Sequence, residues 1–125
     1  RRAGLDYWPR LAMHEHAGWT AYRRTPAPGR WLFSTRGRRS LFDAELRLGD
    51  HLVFGSEGSG LPSAILDAHP DRCLALPMAA NERSLNVATA VCAVVYEGLR
   101  QLERQRVVAS QPDLRLRPGA SWPTD

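Results

Sequence analysis

Three clusters of residues in this sequence have the types and spacing to do chemistry. The first is Gly55-Ser56-Glu57-Gly58-Ser59-Gly60, set between the apolar run His51-Leu52-Val53-Phe54 and Leu61-Pro62-Ser63-Ala64-Ile65-Leu66. Glycines let a backbone take left-handed dihedrals and let another group approach closely. The loop is not a P-loop, because Leu61-Pro62 stands where the lysine and hydroxyl residue should follow. It also lacks the third glycine of a dinucleotide fingerprint. A nucleoside ligand without a triphosphate fits it, and so does a plain tight turn. The second cluster is Asn81-Glu82-Arg83-Ser84-Leu85-Asn86, polar side chains just before a long apolar helix, where Ser84 or Asn86 is expected to cap. The third is His14-Glu15-His16, with two imidazoles on one face of an extended segment. No third ligand accompanies them, so a solvent-facing pair is expected rather than a metal site. Cys73 and Cys92 sit in apolar surroundings and read as small core residues. His51 and His69 are isolated, and no Ser-His-Asp arrangement occurs.

The elements that must position these residues alternate. Residues 10–16 read as a short strand and Trp19–Arg24 as a short helix, ended by Thr25-Pro26-Ala27-Pro28-Gly29. Trp31-Leu32-Phe33-Ser34, His51–Phe54 and Cys73-Leu74-Ala75-Leu76-Pro77 read as buried strands, with Pro62 at the first position of a helix. Short apolar strands between helices predict an α/β fold with a mostly parallel sheet flanked by helices. The spacing of Ala88, Val91, Val95, Leu99 and Leu102 predicts a helix from Ser84–Asn86 to about Arg104. Its middle, Ala90–Val95, is apolar nearly all round, so it needs cover beyond the sheet, from this domain or from a second subunit. Residues 1–105 are expected to form the domain and 106–125, with Pro112, Pro118 and Pro123, a flexible tail.

At 125 residues the chain suits one domain with a core of its own. Its 43% hydrophobic and 24% charged residues exclude wholesale disorder. There is no 18-residue apolar stretch for a membrane span and no leader-like segment. The two cysteines make neither a disulfide framework nor a metal clip, so a cytoplasmic setting is expected. The net charge of +4 suits a nucleic-acid partner without requiring one. All 17 basic residues are arginine, so no single arginine stands out as chosen for phosphate. The turn carrying Arg36, Arg38 and Arg39 is the densest basic spot and is expected to meet phosphates.

Together, several segments resemble the SPOUT superfamily of knotted RNA methyltransferases, in particular its small TrmL-like branch. They are Arg1-Arg2-Ala3-Gly4-Leu5-Asp6-Tyr7, then Phe54–Pro62, then Leu76-Pro77-Met78 followed by Arg83-Ser84-Leu85-Asn86-Val87 and Val95-Tyr96-Glu97-Gly98-Leu99-Arg100-Gln101. The resemblance runs from Arg1 to about Leu102. It implies S-adenosyl-L-methionine as methyl donor and the ribose 2′-hydroxyl of a tRNA wobble nucleotide, a cytidine or modified uridine, as acceptor. It implies a homodimer and a C-terminal trefoil knot, one of the rare exceptions to unknotted chains.

By position, the resemblance makes Phe33, Gly55, Leu76 and Ser84 cofactor-binding, and Glu57 and Asn86 polar residues that shape the site, with Glu57 bonding its own loop's amides as the alternative. The family's first motif, with its Asn and Arg, falls before Arg1. The group that activates the 2′-hydroxyl is therefore unassigned, with Glu57 and Asn86 as candidates. Gly58 and Ser59 replace bulkier family residues, which is expected to loosen the loop. The alternatives are a dimeric RNA-binding module without catalysis, and a SPOUT enzyme that methylates ribosomal RNA.

Overall fold

The computed structural model describes residues 8–80, 82 and 86–124. Four parallel strands form one sheet: β1 (Arg30–Phe33), β2 (Arg39–Ser40), β3 (His51–Val53) and β4 (Cys73–Ala75), in the order β2-β4-β1-β3. In register, Leu32 faces Val53 on one side and Cys73 on the other, and Phe33 faces Leu74. β4 thus lies between β1 and β2, two strands consecutive in the chain. Trp31, Leu32 and Phe33 are all buried, as expected for a strand covered on both faces of a parallel sheet.

Side chains alternate across the strands, so each strand feeds two cores. Trp31, Phe33 and Leu74 join Leu41, Ala44, Leu46 and Val94 on one face. Val94 belongs to α3 (Val87–Arg104), the longest helix. On the other face Leu32 and Cys73 pack with Leu66 of α2 (Ser63–Ala68), and Trp19 of α1 (Trp19–Arg23) lies against them. Leu32, Leu74 and Val94 are the most completely buried side chains, each worth about 1.5–3 kcal/mol of burial. Pro62 stands one residue before α2 rather than at its first position, and its carbonyl accepts from the Ile65 and Leu66 amides.

Three expectations change. Residues 10–16 are not a strand. A single 3-10 turn spans Trp8–Arg10, and residues 11–16 are irregular and exposed, because no strand among the described residues offers them a ladder. Cys92 is exposed, whereas Cys73 is buried. The segment read as a tail carries an antiparallel pair, β5 (Val108–Ser110) with β6 (Leu116–Pro118).

The pair β5–β6 is tied to the end of α3. Arg106 adopts a left-handed φ of 65°. The Val107 amide donates to Leu102 O and the Arg106 amide to Glu103 O, a Schellman closure with arginine where glycine is usual. The Gly119 and Ser121 amides then donate to Val107 O and Arg106 O. α3 is also fastened along its length. The Gln101 side chain accepts from the Leu46 amide at 2.7 Å and donates to Ala44 O at 3.0 Å, and Gln105 donates to Leu46 O. The opposite side of α3 is uncovered in the single chain, with Tyr96 68% exposed and Val95 40%.

Candidate functional site

The carboxyl ends of β1, β3 and β4 open into one cavity of about 460 Å³. In open parallel sheets this is where ligands bind, and the volume lies in the usual range for small-molecule sites. Four of the sequence-predicted residues line it: Phe33 ends β1, Gly55 follows β3, Glu57 lies in the loop beyond it, and Leu76 follows β4. Ser84 lies outside the described residues. Further walls include the 56–60 loop, Ser34-Thr35-Arg36, and Val87 and Ala90 of α3. Phe33 and Phe54 stack at 4.8 Å between ring centres, giving the cavity a flat apolar wall.

The glycine loop is a built turn rather than a loosened one. The Gly60 amide donates to Ser56 O at 2.9 Å, the Ser56 and Ser59 hydroxyls bond at 2.8 Å, and the Ser59 amide donates to Ser56 Oγ. Gly55 serves this closure directly. A Cβ there would lie 2.1 Å from the Gly60 carbonyl carbon and 2.2 Å from the Leu61 nitrogen. The space that Gly55 leaves open is thus filled by the far arm of its own loop.

Asn86 is the capping residue of α3, its Oδ1 accepting from the Ala88 and Thr89 amides. Its Nδ2 donates to Glu57 Oε1 at 2.6 Å. Glu57 lines the cavity, while Asn86 reaches it only through Glu57. The Glu57 carboxylate therefore joins loop to helix, and it is Ser56 that bonds the loop's own amide.

Arg36, Met78 and Glu82 also line the cavity; Arg36 was expected at phosphates rather than here, and neither Met78 nor Glu82 was assigned a site role of its own. Arg36 donates to Ser63 Oγ at 2.9 Å and approaches Asp67 at 3.9 Å. Its position directly after a buried strand is the signal that finds it, since residues after parallel strands face the ligand end of the sheet. The basic turn is only partly free to meet phosphates. Arg36 is held as described, and Arg39 donates to Asp71 O and stands over the Trp31 ring at 5.6 Å. Arg38 alone of the three makes no hydrogen bond among the described residues.

The histidines are apart from this cavity. His14 and His16 are exposed, and His16 meets the Tyr22 ring edge-on. His51 Nδ1 bonds the Tyr22 hydroxyl at 2.7 Å. Burial pushes the Cys73 thiol up from its ordinary value, and it donates to Leu66 O and His69 O as a core group.

With two carboxylates, one tethered arginine and an apolar stacked wall, the cavity has the donors and acceptors to hold a cationic nucleoside-like group. It contains no hydroxyl–imidazole–carboxylate relay and no cluster of metal ligands among the described residues.

Comparison with known proteins agrees on one family. The model of the SpoU rRNA Methylase family matches residues 1–96. The tRNA (cytidine(34)-2′-O)-methyltransferase of Saccharophagus degradans is 43% identical over 104 residues, covering 82% of this chain and 68% of the relative. The Escherichia coli protein of the same name is 40% identical over 104 residues, covering 82% of this chain and 66% of that one. The chain thus spans about two thirds of the length of these relatives. A solved structure concerned with 2-OH methylation of C/U34 on tRNA superposes with a TM-score of 0.75 at 42% identity, covering 83% of this chain and 68% of that chain. A Bacillus anthracis structure gives 0.73 at 28% identity, covering 81% and 66%. From the match over residues 1–96 and the superposition on that solved structure, this chain belongs to the SpoU methylase family.

Proposed function

We propose that the chain carries out S-adenosylmethionine-dependent 2′-O-methylation of the ribose at the tRNA wobble position. The observation that carries this reading is the cavity at the carboxyl ends of β1, β3 and β4, lined by Phe33, Gly55 and Leu76. Relatives about 40% identical that bear a tRNA cytidine-34 activity favour tRNA over ribosomal RNA.

The residues present fit the donor. Strand-end backbone and the Phe33–Phe54 wall suit an adenosine, and the Glu57 and Glu82 carboxylates suit a positive sulfonium. When bound, S-adenosylmethionine supplies an electrophilic methyl group. The Asn86–Glu57 link fixes the loop against α3, and Arg36, held by Ser63, bounds the open side. The chain's contribution is orientation, which is worth several orders of magnitude when the reacting groups are held near attack distance. Glu57, engaged by Asn86, acts as a positioning group in this scheme. Ser84 completes the set by its place before α3.

The reading includes a homodimer, with the uncovered face of α3 around Val95 and Tyr96 buried against the second copy. It also includes a knot formed around β4 and α3, and a methyltransferase domain over residues 1–105. The test is methyl transfer from labelled S-adenosylmethionine to tRNA transcripts, with the product located by nuclease digestion and mass spectrometry. Ribose methylation at position 34 is expected. A labelled base, or S-adenosylhomocysteine binding with no transfer to any tRNA, would overturn it, and the second result would favour an RNA-binding module.

A further inference from the structure

The cavity described above uses one end of the sheet. At the other, the amino ends of the strands, a second hollow of about 300 Å³ opens between α1, the 27–30 segment and the turn before β4. Arg23, Arg30, Arg72 and His69 line it, with Trp19 as an aromatic wall and no carboxylate among the lining residues. Asp50, close behind Gly29, bonds the Trp31 indole and the Arg47 amide through Oδ2, while its Oδ1 faces the same side of Gly29 as an Arg72 Nη.

The donors in this hollow differ in what they have left to give. Arg30 is held by its Nη2, which donates to the Thr25 carbonyl and hydroxyl and to Arg23 O, while its buried Nε has no partner among the described residues. Arg72 is braced but unspent. Its Nε donates to Arg30 O and its guanidinium lies 3.7 Å from the centre of the Trp31 ring. Its two Nη groups have no acceptor among the described residues. The exposed Arg23 guanidinium and the His69 ring have none either. A guanidinium stacked on an indole and oriented by one bond keeps a planar fork for an oxyanion, with little freedom left to lose.

We propose that this hollow binds a phosphodiester of the RNA substrate, with Arg23 and Arg72 on the phosphate oxygens and Trp19 beside the attached nucleoside. The inference rests on the RNA-methyltransferase reading for the identity of the anion. β1 links the two sites through Arg30 at one end and Phe33 at the other, three residue steps or about 10 Å. In this proposal one RNA spans both by passing over the surface, since β1 itself is buried.

The experiment is RNA-hairpin binding by the full chain as a function of salt, comparing wild type with Arg23→Gln and, for net charge, Arg115→Gln on the exposed β5–β6 turn. Each phosphate contact contributes about 0.7–0.9 to the salt slope. Between 50 and 200 mM salt, wild type is expected to lose about threefold more affinity than Arg23→Gln. Arg115→Gln should keep the wild-type slope, and S-adenosylhomocysteine should bind all three alike. An unchanged slope in Arg23→Gln, in a chain that binds RNA and transfers methyl groups, would overturn this proposal alone. So would an Arg23-dependent heat of binding for inorganic phosphate with RNA affinity unaltered, which marks a free-anion site. Arg23-sensitive RNA binding without methyl transfer would sink the activity reading and leave this one standing. A wild-type chain with no RNA affinity would remove both.

Discussion

Replacing Gly55 with alanine should deform the cavity while leaving the rest of the fold intact. The new Cβ would stand 2.1 Å from the Gly60 carbonyl carbon and 2.2 Å from the Leu61 nitrogen, where ordinary contact begins near 3.4 Å. Both obstacles are backbone, so no side-chain rotation relieves them, and the loop's far arm must retreat by about 1 Å or more. That retreat opposes the Gly60-to-Ser56 hydrogen bond. Overpacking typically costs about 1–3 kcal/mol. Residues 56–60 are exposed and can yield outward, which puts the cost near the lower end, roughly 1 kcal/mol or about 4 °C in Tm. Function should suffer more, because displacements of about 1 Å in a site can cost about 100-fold. We expect at least a tenfold loss of S-adenosylhomocysteine affinity by calorimetry, beside a modest Tm change. Two variants in the same loop separate the causes. Gly58→Ala meets nothing within 4 Å and should stay within about 0.5 kcal/mol of wild type. Gly60→Ala has open space but a φ of +69°, so it should lose about 1 kcal/mol or slightly more through backbone strain. Wild-type affinity and Tm in Gly55→Ala, or equal damage from Gly58→Ala, would refute the steric reasoning.

Asn86→Ala should lose about 1 kcal/mol by removing the cap of α3, read by thermal unfolding. Asn86→Asp keeps the capping oxygen but sets a second carboxylate against Glu57, so it should retain stability and lose cofactor affinity. Gln101→Ala removes both bonds to the 44–46 segment; at roughly 1 kcal/mol each, a loss of about 2 kcal/mol is expected in urea unfolding. Glu97 receives Arg100 and Gln101 side chains, and the bond from Arg100 holds its carboxyl below the ordinary value of 4.5. A depressed carboxyl stabilises the fold above its unfolded pKa, and that contribution fades as pH falls from about 4.5 through the folded value. The urea midpoint of wild type should therefore fall over this acid range more steeply than that of Glu97→Gln, and parallel curves would contradict the assignment.

Three of the four parallel strands were legible because each is a short apolar run: Trp31-Leu32-Phe33, Leu52-Val53 and Cys73-Leu74. Burial on both faces demands that pattern. β2 (Arg39–Ser40) was not legible, being two polar residues within a basic turn. Phe33, Gly55 and Leu76 came from the family resemblance by position, and the structure sets them at or just past strand ends, where they line the cavity. The Glu57–Asn86 link was hidden, since the two residues lie 29 positions apart and only the packed loop and helix bring them together. The β5–β6 pair was hidden for a different cause. The β6 side chains are all exposed, so that strand shows no buried face to pattern the sequence. The helix before it ends on Arg106 rather than a glycine, which removes the usual stop signal. Residues 10–16 erred in the opposite direction, because Leu11 and Met13 alternate with polar neighbours yet are 52% and 65% exposed. Alternation describes what a strand needs, and an adjacent strand must still supply the hydrogen bonds.

The Schellman closure at Arg106 makes α3 a spindle with something attached at each end. Asn86 joins its start to the cavity loop, and β5–β6 is bonded to its last turn. Eighteen residues at 1.5 Å each span about 27 Å, so the two attachments are far apart in space yet share one rotation axis. Deleting a single residue from the middle of α3 would turn one end by about 100° relative to the other. Either Asn86 would swing away from Glu57, or Gln101 and Gln105 would be carried away from Ala44 and Leu46, and the β5–β6 pair with them. The length of this helix is thus a phase setting, and residues 108–118 keep their place on the molecule only at that phase.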